Sequence, residues 1–440
     1  MKKTLSEQMD LAKKSLPGGV NSSTRLNRAI GTPFYVSKGN GSRVTSIEGK
    51  EYIDFCCAHG AGLLGMSHPA VNEAVRLATS LGYLNSFETE YHEELAAKIC
   101  AIIPCADRAR FVSSGSEATM HLIRACRAYT KKKKIIRVEG HFHGYHELIY
   151  IGGQPPEHEF TDNRIRPYIE SPGIPEEFAD FIIPIPFNDP EALEDSILKH
   201  GHEAAVLIME PVNYNTGCIK PKPGYLELAR KLTLQSDIVF FMDEIQSSFK
   251  KSLGGAQQDF GVIPDVCTIG KSLGGGLPLS AFCGKAEIMD MYQPVGNVQH
   301  SGTFNAHLVP VLSGLSFLNE AVKPYFYPRL RELEDRLRSG IDQIIQANDL
   351  NMVAPHHGAR FNILLGRKTE AARYEDTFCH NKSTMLQLVK GCFDKGVYFH
   401  DYGGAPAHHG YSIQHTLDDI DTVLQILEEV LVKLKKEGKL

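Results

Sequence analysis

One pattern in the middle of the chain limits the possible folds more than any other. Apolar runs of strand length take turns with segments of helical period. "RARFVSS" precedes "SEATMHLIRACRAYT", and "KIIRVEG" follows; later come "EAAVLIMEPV", "YLELARKLTLQS", "IVFFMDEI" and "DVCTIGK". Continuous apolar strands separated by helices are strands buried on both faces. The expectation is an α/β architecture, a mostly parallel sheet covered by helices. Residues 33–55 read differently, as short antiparallel strands split by Gly39-Asn40-Gly41 and Glu48-Gly49-Lys50. From about residue 325 long helical patterns return, with a few strands between them. Soft boundaries near residues 56 and 320 divide the chain into an N-terminal segment (1–55), a large domain (56–320) and a C-terminal segment (321–440).

Charge and apolar content exclude some classes. A net charge of -5 with no basic stripe argues against a nucleic-acid surface. No apolar stretch approaches the roughly 20 residues that span a bilayer. The start, "MKKTLSEQMDLAKK", reads as an amphipathic helix and not a signal peptide, because it has no continuous apolar run. The 10 cysteines include no CxxC pair, which suits reduced thiols in a cytoplasmic protein.

In open parallel sheets ligands bind beyond the carboxyl ends of the strands. Four strand exits carry chemistry here. After "RARFV" come Ser113, Ser114, Gly115 and Ser116, small residues opening a helix. They suit either a phosphate cup at a helix N-terminus or a plain serine cap. After "IIRV" comes "EGHFHGYHE", where Phe142 suits a stacking partner for a flat heterocycle. His141, His143 and His146 offer a metal site as the rival reading, but HxHxxH is no recognised ligand pattern, and no metal is expected. "VFFM" ends in Asp243 and Glu244, and "DVCTIG" ends in Lys271. Carboxylate and amine at the ends of buried strands form a structural ion pair, or each serves a third molecule.

Pyridoxal phosphate gives all four exits a purpose. Its aldehyde needs a lysine amine with a lowered pKa, for which Lys271 stands ready. Its ring nitrogen needs a buried carboxylate, Asp243. Its ring needs an aromatic on one face and an aliphatic on the other, Phe142 and Ile245. Its phosphate needs exposed N–H groups at a helix start.

The pattern resembles the class III aminotransferases of the fold-type I pyridoxal-phosphate enzymes. It is most similar to the glutamate-1-semialdehyde aminomutase branch and to related D- and β-amino acid aminotransferases. The stretches that carry the resemblance run nearly the whole chain: "PGGVNSSTR", "GNGSRVTSIEGKEYIDF", "FVSSGSEATM", "EGHFHGYHE", "PDVCTIGKSLGGGLPLSA", "HSGTFNAH" and "QHTLDDIDTVL" among them. It implies a mostly parallel, seven-stranded sheet sandwiched by helices, and a smaller α+β domain built from both terminal segments. It implies Lys271 as the Schiff-base lysine and proton shuttle, Asp243 as partner of the ring nitrogen, and His143 as a wall of the ring pocket. Ser114, Gly115 and Ser116 match the phosphate-binding run, Asn215 an asparagine near the phenolic oxygen, and Glu210 a support of the site. Gly302 and Thr303 match a segment that reaches the neighbouring subunit's phosphate, which implies a homodimer with shared active sites. Arg25 matches an arginine that holds the substrate carboxylate; without that context it would read as a solvated surface charge.

Departures cluster on the substrate side. His59 stands where aminomutases carry tryptophan, and Gln299 replaces a tyrosine. "MTGFR" becomes "QSSFK" at 246–250, and "YGGAPAHHGYS" at 402–412 has no acid where the mutase has one. His59, Gln299 and the His408-His409 region are therefore expected to line a changed pocket. The reading that follows puts transamination between a carboxylate-bearing amino acid and a keto acid first. Intramolecular amino transfer by a glutamate-1-semialdehyde aminomutase is the alternative, then a racemase, and last a non-catalytic binding protein on the same fold.

Overall fold

Burial on both faces decides where each central strand sits. In the computed structural model, which describes residues 3–160 and 166–440, seven strands form the main sheet. They are β1 (Arg108–Val112), β2 (Lys134–Val138), β3 (Ile182–Ile185), β4 (Ala204–Met209), β5 (Val239–Glu244), β6 (Val266–Ile269) and β7 (Ser280–Gly284). Their spatial order is β1-β7-β6-β5-β4-β2-β3. Every residue of β4, β5, β6 and β7 is buried, as continuous apolar runs require.

Only β7 runs antiparallel, against both β6 and β1. Its connection from β6 explains this. A parallel return needs a crossover of about a dozen residues or more, usually a helix. Residues 270–279 provide only the short turn Lys271–Gly274 and a glycine-rich loop, so the chain folds straight back. One edge of the sheet thus collects the ends of β1, β2, β4, β5 and β6.

The two terminal segments meet in a separate sheet. Strands Val36–Asn40, Arg43–Ser46 and Glu51–Asp54 pair antiparallel, as their turn signals imply, and Val397–Tyr398 adds parallel to Glu51–Asp54. Long helices Phe326–Ala347 and Leu417–Lys436 cover this end. One apolar core runs through both parts, from Ile53, Phe55 and Val397 to Met242 and Ile269. The N-terminal helix spans Leu5–Ala12, capped by Thr4 and Glu7, and buries none of its residues. All 10 cysteines are free.

Asp419 ties the N-terminal strands to the last helix. It caps the helix reciprocally with Thr416, accepts from Ser42 Oγ at 2.8 Å and meets Arg43 Nη2 at 2.7 Å. Burial alone would raise its carboxyl pKa; the Thr416 N–H, Ser42 and Arg43 outweigh burial and hold it below the usual value. Asp419→Ala is expected to destabilise the fold by about 1–3 kcal/mol in urea unfolding, the cost of orphaned buried partners. A carboxylate with a depressed folded pKa stabilises above its unfolded pKa and loses that contribution as pH falls through the folded one. The gap between wild type and variant should therefore close in acid.

Candidate active site

Asp243 is the penultimate residue of β5, and its register partner in β6 is Thr268. Lys271 follows two residues beyond the end of β6. Parallel pairing therefore delivers both side chains to one edge, and they line the same cleft of about 610 Å³. That volume falls within the roughly 300–1,000 Å³ of small-molecule sites. Lys271 sits at φ +46°, a left-handed conformation that costs an L residue about 1–3 kcal/mol and persists where the surroundings impose it.

Three donors aim the Asp243 carboxylate. Thr268 Oγ1 donates at 2.7 Å, the Ile245 N–H at 3.1 Å, and His143 Nδ1 lies at 2.7 Å from the other oxygen. Burial lowers the His143 pKa despite this carboxylate, so the ring is neutral and its Nδ1–H donates. Burial also pushes the Lys271 amine down to about 8; Glu210 and Asp243 oppose the fall, and Arg360 adds to it. Glu210 moves the other way, raised by burial and by Asp243, while the Phe142 N–H bonds it at 2.8 Å. Asn215 lines the cleft beside it.

The phosphate end and the ring faces are built from close approach. Ser114 caps the helix Gly115–Thr130, its Oγ accepting from the Glu117 N–H at 3.3 Å and donating to the Glu117 carboxylate at 2.8 Å. The serine cap and the small-residue cup thus coexist: Ser114, Gly115 and Ser116 all line the cleft. A Cβ on Gly115 would come within 3.1 Å of Ile245, which shows how tightly that side chain is pressed against the helix start. Phe142 faces the same cleft and packs edge-on against Tyr145 at 5.0 Å. A planar ring between Phe142 and Ile245, with an anion at the helix N-terminus, is what this chain can hold.

On the substrate side the outcome divides. Arg25 and His59 line the cleft, and His408 lines a second cavity that shares Lys271, His59 and Phe142. His409 alternates away in the strand His409–Gly410 and packs against Phe399 and Phe361. Gln299, Gly302 and Thr303 are exposed and line neither Lys271 cavity of their own chain. The three histidines of HxHxxH do not converge. His141 accepts from the Glu210 N–H, His143 meets Asp243, and His146 meets Thr119.

Sequence reasoning missed one neighbour, Arg360, and marked two others, Gln246 and Lys250, only as members of the altered 246–250 run. Arg360, fully buried, donates to His408 Nδ1 and, at 2.8 Å, to the His408 carbonyl. Gln246 lines the cleft, its Nε2 3.1 Å from His408 Nδ1. Lys250, also fully buried, donates to Ser272 Oγ, which donates to the Gly60 carbonyl at 3.1 Å. The altered "QSSFK" run thereby braces the turn that carries His59. For Arg360 the one available signal was a lone arginine within the apolar stretch "GARFNILL".

Lysine and carboxylate in one pocket, on a sheet of this order with an anion-binding helix start, define a pyridoxal-phosphate enzyme of fold type I. The comparisons agree. The chain belongs to the class-III aminotransferases, whose family model matches residues 26–431. Glutamate-1-semialdehyde 2,1-aminomutase of Methanobrevibacter smithii is 36% identical over 433 residues, covering 97% of this chain and 98% of that one. The aminomutase of Methanosarcina acetivorans is 34% identical over 430 residues, covering 97% and 98%. Among solved structures, an omega-transaminase from Sphaerobacter thermophilus superposes with a TM-score of 0.89 at 27% identity, covering 97% of each chain.

A lysine must lose its proton before it can attack an aldehyde. Capture of pyridoxal phosphate by the apo chain, followed by absorbance, should therefore rise with pH around a midpoint near 8. A midpoint near that of an exposed lysine, about 10.4, would contradict the burial argument.

Proposed function

We propose that the protein moves an amino group between neighbouring carbons of one carboxylate-bearing substrate, the reaction named for its curated aminomutase relatives. The observation that carries this reading is likeness at 36% identity over 97% of this chain and 98% of the relative. It reverses the order in which the substrate-side departures place the two activities. When bound, pyridoxal phosphate supplies an electron sink for the bond broken at the amine-bearing carbon.

The chain's own groups do the rest. Asp243, oriented by Thr268, His143 and the Ile245 N–H, keeps a proton on the ring nitrogen facing it. Lys271 moves protons at the substrate carbon with an amine whose pKa burial has lowered to about 8, still basic enough to accept a proton and weak enough to return it. Phe142 and Ile245 fix the plane of the ring, and the N–H groups of Gly115 and Ser116 hold the phosphate. Arg25 binds the substrate carboxylate as a guanidinium fork. Gly302 and Thr303, outside their own chain's cleft, serve the site of a second copy in a homodimer. The reaction is taken to run in the cytoplasm.

Intermolecular transamination is the second reading, favoured by the His59, Gln246 and His408 lining where mutases have tryptophan and an acid. One incubation separates them. Glutamate-1-semialdehyde with enzyme and no keto acid should yield the isomer whose amino group sits on the neighbouring carbon. No isomer, together with turnover of an amino donor and a keto acid, would assign the transaminase instead. Under either reading Arg25→Ala should raise KM by about 10- to 100-fold, the scale of a charged hydrogen bond, while the cofactor absorbance stays.

A further inference from the structure

Away from the lysine, three soft ligand atoms come together at the wall of the substrate pocket. Cys56, His59 and His400 each offer one, and these atoms lie within 4.8 Å of one another. Two come from a strained turn and one from the far end of the chain. Cys57, Ala58 and His59 are consecutive L residues at φ +47°, +50° and +55°. Each costs about 1–2 kcal/mol in that region. The turn is held nonetheless: Asp54 accepts the N–H groups of Cys56 and Cys57 at 2.9 and 3.1 Å, and Arg360 Nη1 donates to the Cys56 carbonyl at 3.2 Å. Its effect is to bring the His59 backbone N–H to 3.5 Å from Cys56 Sγ, with the ring 4.2 Å from that of His400.

Each imidazole is set up as a ligand on one nitrogen only. His59 Nδ1 lies 2.8 Å from the Tyr402 hydroxyl. His400 is 3% exposed, its Nε2 is buried without a partner, and its ring also meets the Thr24 backbone. Ring nitrogens anchored on one side and free on the other are how metal-binding histidines are oriented. All three ligand residues border one cavity together with Arg25.

We propose that Cys56, His59 and His400 bind one zinc ion, leaving a fourth position open. One thiolate and two imidazoles match the borderline-soft preference of zinc. Tetrahedral bonds of about 2.0–2.3 Å hold ligand atoms roughly 3.3–3.6 Å apart, so the cluster has to contract by about 1 Å. On binding, the Cys56 S–H bond breaks, its proton passes to solvent and an S–Zn bond forms; nothing is oxidised or reduced. Because His59 also borders the Lys271 cleft, occupancy ties up a wall of the substrate pocket and slows turnover. No motif announced the site, since two ligands lie near residue 57 and the third near residue 400, and the expectation of no metal weighed local patterns, HxHxxH and CxxC, that share no spacing with it.

The test is a Co2+ titration of the holoenzyme, read to the red of the cofactor bands. One equivalent should saturate the absorption of four-coordinate, thiolate-bound Co2+, and Zn2+ should abolish it. Cys56→Ser and His400→Ala should each lose the signal while the cofactor absorbance reports an intact fold. Tyr402→Phe should weaken binding by about 10- to 100-fold, as for other outer partners of metal-bound histidine. Absence of the bands at one equivalent, or bands that survive Cys56→Ser, would overturn the site. Should His400→Ala shed its cofactor, Cys56→Ser alone decides. Turnover unchanged on zinc loading would overturn the link to the pocket, whichever amino-transfer reaction is assayed.

Discussion

Everything at the catalytic edge depends on two parallel strands ending together. β5 and β6 pair with Asp243 opposite Thr268, and the chain leaves β6 two residues before Lys271. That register places a carboxylate and an amine where water is scarce, and burying isolated charges costs several kcal/mol each. A structural ion pair could offset the cost, yet Asp243 spends its oxygens on Thr268, Ile245 and His143. The arrangement makes sense when a third molecule completes it: a ring nitrogen for the acid and an aldehyde for the amine.

A second electrostatic feature sits behind the first. Lys250 and Arg360 are fully buried; burial, Arg360 and Lys271 push the Lys250 amine well down, while the Arg360 charge also acts on Lys271. Neither forms an ion pair among the described residues; Lys250 leans on Ser272, and Arg360 on His408 and the Cys56 carbonyl. A guanidinium held away from water, as Arg360 is, projects a positive field into the adjoining cavity. Arg25 lines the same cleft, and a positive field there suits a carboxylate group.

How legible was this in the sequence? The parallel layers and the grouping of the candidate cofactor residues in one cleft were readable because each follows an apolar run, and strand ends in such sheets face the ligand. The antiparallel β7 was not foreseen, since its direction depends on the shortness of the 270–279 connection and not on its composition. On the substrate side, His59 and Arg25 were named and line the cleft, but His408 was named only with His409, and the two neighbours turn to different surroundings. Gln246 and Lys250 were marked only as part of the altered 246–250 run, without roles, and Arg360 stayed hidden because long-range packing, not local pattern, brings it beside His408. Gln299 lies outside its own chain's cleft because its segment leaves Val298 for the surface.

The far wall of the pocket shows what separates the two amino-transfer readings. Burial and the Arg360 charge keep His408 uncharged. Arg360 donates to His408 Nδ1, so the proton of the neutral ring resides on Nε2. The His408 Nε2 lies 3.3 Å from the Gln246 amide, so the wall is an uncharged imidazole and amide with a guanidinium behind them, where a mutase presents an acid. Such a wall repels an ammonium group and accepts a carboxylate, a carbonyl or an uncharged amine. An intramolecular transfer passes through a species bearing two nitrogens, and here the second nitrogen would have to stay unprotonated. An exchange between two molecules makes no such demand, because the leaving keto acid presents only oxygen. Full-length likeness favours the first route and this wall the second, so the protonation state of the second nitrogen is the physical quantity on which the choice rests.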